Sequence, residues 1–208
     1  GQLLGAEDFS PRRSPAAKHS FNLKKTLKLI FLILIISFQI FPQKLEVDHT
    51  KVNVVKFTAD ATLGDFNGTT NSLEGFIEFN DNKLSINGKT EFKVYLDSID
   101  TGIGLRNTHM RENYLQTEKY PYAIYSGKII AIDTISSSQY KIKGEGEFEI
   151  HGTKKNKQIM VIFFKYGELY KSTADFVLKF SEFKIDQPSF LFNKVDDNIK
   201  IHLSVYFK

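Results

Sequence analysis

The chain has 208 residues, enough for one substantial core, and its 13% aromatic content comes entirely from 19 Phe and 9 Tyr, side chains that favour strands and bury large areas. Its net charge of +4 is local: residues 1–43 hold six basic and two acidic side chains, leaving 22 of each beyond, which excludes a global attraction for nucleic acid. The absence of Cys excludes a disulfide scaffold, a thiolate metal site, a cysteine nucleophile and a lipidated Cys.

Residues 1–22 are polar and show no periodicity. They precede what reads as a complete export leader, so the expectation is that they are an upstream extension outside the native chain, with initiation at Leu23. Detection of a peptide from residues 1–22 in cells would contradict this. Residues 23–43 form the leader itself. Lys24, Lys25 and Lys28 make a positive start, and Leu29 to Phe41 is a 13-residue apolar run. A bilayer core needs about 20 helical residues, so this run suits a cleaved signal peptide and implies a periplasmic or secreted protein.

From Lys44 onward the dominant period is two. Val55, Phe57 and Ala59 alternate with polar neighbours, as do Leu73, Gly75, Ile77 and Phe79, and then Phe92, Val94 and Leu96. The 12 residues Gly104–Leu115 form the clearest helix, with Arg106, Met110 and Tyr114 stacked at four-residue spacing beside Leu105 and His109. A short helix between barrel strands caps or plugs one end. In residues 140–150, Tyr140, Ile142, Gly144, Gly146, Phe148 and Ile150 share one face while Lys and Glu fill the other. The inward glycines leave room for a sharp bend or for an occupant.

Residues 159–164 (IMVIFF) are apolar on both faces, so a covering helix or a second copy in a homodimer is expected there. Alternation resumes through Ala174, Phe176, Leu178 and Phe180, and closes with Ile199, Ile201, Leu203, Val205 and Phe207. Turn signals separate the runs at Asn67-Gly68, 80–82, Asn87-Gly88, 152–156 and 196–198. Such strands define an all-β sandwich or barrel.

Catalytic signatures are missing. The five His residues show no metal-ligand spacing, and there is no G-x-S-x-G elbow, dinucleotide fingerprint or P-loop. Asp48 and His49 are adjacent and point to opposite faces if both lie on a strand. Asp97 and Asp100 precede the helix and suit turn or capping roles. No cofactor and no enzymatic activity are expected.

Several segments, in order, resemble the YceI-like family of exported lipid-binding proteins over roughly residues 45–208. They are Val47-Asp48-His49-Thr50, Phe57 followed by Gly64-Asp65-Phe66-Asn67-Gly68, Ser98-Ile99-Asp100-Thr101-Gly102, Arg106 to Arg111, Lys119-Tyr120-Pro121, and Gly144 to Thr153. The resemblance implies an eight-stranded, lipocalin-like antiparallel barrel whose elongated apolar cavity binds a polyisoprenoid or similar amphiphile. One departure is Asn107, where many members have Asp.

Combined with the alternating faces, this assigns Phe57, Ile77, Phe79, Phe92, Leu96, Ile142, Phe148, Phe176, Leu178, Ile201 and Leu203 to the cavity wall. Arg106, His109 and Arg111 are assigned to the mouth, where a head group would sit. The expected partner is an isoprenoid or other long-chain lipid, with transient membrane contact during exchange. The competing reading is an envelope structural or interaction protein whose Phe set fills the barrel outright. Cavity volume separates the two.

Overall fold

The computed structural model describes Lys24 and residues 43–80, 83–190 and 193–208. Residues 1–41 and 42–208 form separate units, and the fold below is that of the second. The expected extension (1–22) and, apart from Lys24 and Gln43, the expected leader (23–43) lie outside the described residues.

The strands are β1 (Gln43–Glu46), β2 (Val54–Ala61), β3 (Phe66–Thr70), β4 (Leu73–Asn80), β5 (Lys83–Leu84) and β6 (Lys89–Tyr95). A short helix, α1 (Gly104–His109), precedes the long strands β7 (Tyr122–Ser136), β8 (Gln139–Ile150), β9 (Thr153–Tyr166) and β10 (Leu169–Lys179). The chain ends with β11 (Ser189–Phe190) and β12 (Asn193–Phe207). The sheet order is β1-β4-β6-β7-β8-β9-β10-β12-β2-β3, with β5 beside β4 and β11 beside β12. All the pairings among these strands are antiparallel.

The sheet curls into a half-barrel. Its first strand returns to β12, where Val47 bridges Phe207. There the Glu46 and Lys208 amides donate to each other's carbonyls at 2.9 and 3.0 Å.

Ten strands lie on the path, which corrects the expected eight. One cause is Asp48. Its carboxylate accepts from the Thr50 amide (2.9 Å) and hydroxyl (2.7 Å), and buried Asn53 donates to its carbonyl while accepting from the Tyr206 amide. This tight turn separates β1 from β2.

Two expected turns are also strand interior. Gly68 lies within β3, where a Cβ would collide with the Phe57 ring, so this glycine serves close packing. Residues 196–198 lie within β12, at a register shift between Val195 and Ile199 that marks a bulge. Asp196 there binds the Asn198 amide and side chain, and Asp197 holds the Ser181 amide and hydroxyl. The signal at 152–156 shrinks to the two-residue hairpin His151-Gly152, both at positive φ (51° and 67°), because Thr153 already begins β9.

Alternation does place the core. Ile142, Gly144, Gly146, Phe148 and Ile150 of β8 are buried, while Lys141 and Glu145 are exposed. On β9, Phe163 turns inward at 1% exposure and Met160 outward at 40%. No described helix is assigned to this outer face, which leaves a second copy as the expected cover. Its cross-strand partners are Lys143 beside Met160, Lys141 beside Ile162 and Lys171 beside Phe164, whose aliphatic stems adjoin the apolar side chains.

Candidate ligand cavity

The inward faces enclose a cavity of about 730 Å³, within the range of small-molecule sites. One end is filled by the buried cluster of Leu45, Val47, Phe163, Tyr170 and Phe207, none of which borders the open volume. Rings interlock there, with Phe163 6.0 Å from Tyr170 and 6.4 Å from Phe207. The other end opens beside α1.

Phe57, Ile77, Phe92, Leu96, Ile142, Phe148, Phe176, Leu178, Ile201 and Leu203 all line the cavity. Phe79 belongs to β4, but its side chain lies outside those described. Further lining side chains escaped the sequence reading, among them Tyr125, Phe183, Ile185 and Lys179. Phe183 ends the one-turn helix Ser181–Phe183 that follows β10 and Ile185 lies two residues beyond it, where no period of two reveals them.

The room above the inward glycines is taken by Tyr125. A Cβ on Gly127 would lie 2.5 Å from its hydroxyl and one on Gly146 2.8 Å from its ring; one on Gly144 would be 3.1 Å from the hydroxyl. The ring rests on Phe148 at 4.8 Å, and Phe148 meets Phe176 at 5.6 Å. The Tyr125 hydroxyl is buried, and Thr90 lies near it without completing a hydrogen bond of good geometry. Burial pushes its pKa up to about 12, so it stays a neutral phenol.

The mouth is built on the loop 96–103. Leu96 is buried at the start of the one-turn helix Leu96–Ser98, and Asp100 then pairs with Thr69 of β3 through two backbone bonds of 2.9 Å. Asn107 clamps this loop to α1. Its Oδ1 accepts from the Thr101 amide (2.8 Å) and hydroxyl (2.7 Å), and its Nδ2 donates to Asp100 Oδ1 (2.7 Å). Asp100 also accepts from the Gly102 amide. These bonds, Asn107 first, hold the Asp100 carboxyl below the usual range. An Asp at 107 could not donate to Asp100, so the amide here is matched to its neighbour.

The three mouth candidates differ in placement. Arg106 lines the cavity, with its guanidinium 4.6 Å from the Phe66 ring centre and donating to the Thr101 hydroxyl (2.9 Å) and carbonyl (2.7 Å). His109 is an exposed part of the rim. Arg111 does not border the cavity. Its Nε lies 3.5 Å from Asp97, and Nη2 donates to the Ile99 carbonyl at 3.3 Å. Asp97 also accepts from Thr117, so Asp97 and Asp100 both serve local structure. Among the described residues, no carboxylate is among the lining side chains. Lys179 completes the rim from the end of β10. The arrangement is suited to hold an elongated apolar body with a polar or anionic end at the mouth.

A family model described as the YceI-like domain matches residues 44–207. Burkholderia cenocepacia BcnA superposes with a TM-score of 0.64 at 18% identity, covering 77% of this chain and 98% of its own. A polyisoprenoid binding domain from Saccharophagus degradans, implicated in plant cell wall breakdown, gives 0.62 at 12% identity, covering 81% and 99%. A mutant Campylobacter jejuni YceI protein with a monobromobimane guest gives 0.54 at 19%, covering 68% and 84%. No curated protein matches the chain.

Proposed function

The chain belongs to the YceI-like family, and on that premise we propose that it is an exported binding or carrier protein for an isoprenoid-type lipid or similar amphiphile. The observation that carries the reading is the cavity: about 730 Å³, closed at one end, and lined almost wholly by aliphatic and aromatic side chains. Burying about 400 Å² of ligand hydrocarbon there contributes roughly 10 kcal/mol before the costs of association. That gross term is ample for retention. The mouth adds Arg106, Lys179 and His109 for a polar or anionic end.

The polyisoprenoid binding of the Saccharophagus degradans domain supports this ligand class at the level of shared fold. Export, and with it a periplasmic or secreted location, rests on the leader-like residues 23–43. The proposed role is binding: the wall is mostly aliphatic and aromatic, with the neutral Tyr125 phenol buried in it. A packed structural barrel would leave no volume of this size.

Organic extraction and mass spectrometry of the protein purified from its native cells test the proposal. A long-chain lipid at near one equivalent is the expected result. Reproducibly lipid-free protein would contradict it.

A further inference from the structure

The cavity opens through a rim with an unusual surface. Neither α1 nor the π-helical segment Met110–Leu115 that continues it contains a buried residue. Ile103 and Leu105, the two aliphatic side chains at the start of α1, are 53% and 68% exposed, and both border the cavity mouth. An apolar cargo must pass here, because Phe163 and Phe207 block the opposite end at 1% exposure each.

Among the described residues, the charged side chains that border the cavity at this rim are cationic. Arg106 and Lys179 border the opening from α1 and from the end of β10, and neither forms a salt bridge among the described residues. Arg106 is held in place by Thr101 and Phe66, so its guanidinium stays at the rim. Exposed aliphatic side chains flanked by cations match the two zones of a bilayer surface, acyl boundary and anionic phosphate layer.

We propose that the open end of the cavity is a membrane-docking surface: Ile103 and Leu105 enter an anionic bilayer while Arg106 and Lys179 meet its phosphates. This rests on reading the cavity as a lipid site, and it makes the mouth a point of transfer that keeps the cargo out of water. Two exposed aliphatic side chains give weak, reversible contact, which suits a shuttle more than an anchor.

The sequence has no Cys, so single-cysteine labelling is straightforward. In the full chain, I103C and L105C carry an environment-sensitive nitrobenzoxadiazole dye. V52C and I135C are controls, because Val52 (78% exposed) and Ile135 (53%) do not border the cavity. Vesicles of phosphatidylcholine with about a quarter phosphatidylglycerol should brighten the dye several-fold at 103 and 105, with quenching by brominated acyl chains, and leave 52 and 135 unchanged. Because the readout is site-specific, membrane attachment through residues 29–41 cannot imitate it.

No change at 103 and 105, or equal change at all four positions, would overturn the docking face. So would brightening that needs a second copy of the protein and no vesicle. An equal response on pure phosphatidylcholine would overturn the anionic assignment. Lipid extraction from unlabelled protein is scored separately. Absent cargo with bilayer contact intact at 103 and 105 would remove the carrier reading alone, whereas cargo without contact would remove only this one.

Discussion

At Gly146 an added methyl group would lie 2.5 Å from the Ser126 carbonyl oxygen and 2.6 Å from Gly127 Cα, both backbone atoms of the neighbouring strand. At Gly104, the first residue of α1, the same methyl would meet nothing within 4 Å. Gly146→Ala is therefore expected to destabilise by about 1–3 kcal/mol through overpacking. Gly104→Ala should be neutral or stabilise by up to about 1 kcal/mol, because it restricts the unfolded chain. Urea denaturation of both variants checks the contrast.

Asn107 gives a second residue-scale test. The Asp100 carboxyl is held low chiefly by the Asn107 amide, so its contribution to stability is present above the ordinary Asp range and lost as pH falls through the lowered value. Asn107→Asp replaces that donor with a like charge. Its melting temperature should fall below that of the wild type at neutral pH. The gap should narrow in acid, as the repulsion between the two carboxylates is relieved when one of the pair takes a proton. A gap independent of pH would contradict the assignment.

At this scale the cavity wall was legible, because a period of two fixes which side chains share a face. Arg111 was not. Spacing along a helix places it near the mouth, but only the position of Asp97 shows that it turns away.

Among the elements, the closed end depends on β1, β9, β10 and β12 meeting through Phe163, Tyr170 and Phe207. Phe207 is 1% exposed and lies 6.1 Å from Phe92, which lines the cavity. Phe207→Ala is expected to cost about 3–5 kcal/mol and to extend the cavity toward that end. Thermal unfolding measures the first effect, and faster release of a bound long-chain probe the second. Stability within about 1 kcal/mol of the wild type would contradict a tight closure there.

Turn chemistry was less legible than strand periodicity. Asn67-Gly68 and residues 196–198 carry turn-forming side chains but lie inside strands, one for contact with Phe57 and one for a bulge. Gly and Asx residues serve both purposes, and local sequence does not distinguish them. For the two-faced strand β9 the single-strand pattern was likewise incomplete. Lysine stems on β8 and β10 flank its outer side, and no single-strand pattern contains that information.

For the whole molecule, periodicity established an all-β fold, and the family resemblance supplied its curvature and the expectation of a lipid cargo. The strand count differed because the Asp48 turn and the β3 return became visible only once pairing was known. The large Phe set does not fill the interior, and Gly127, Gly144 and Gly146 leave room for the Tyr125 ring against the wall. That space is the basis of the functional reading.

The most direct test of that reading fills the cavity without disturbing its mouth. Ala174 is a buried β10 residue on the cavity wall, away from the rim side chains. Titration of lipid-stripped full chain with a long-chain isoprenoid alcohol should show saturable uptake of about one equivalent by the wild type. Ala174→Phe, shown to be folded by circular dichroism, should lose most of that uptake. No saturable binding by the wild type, or equal binding by both proteins, would contradict a ligand held in the interior.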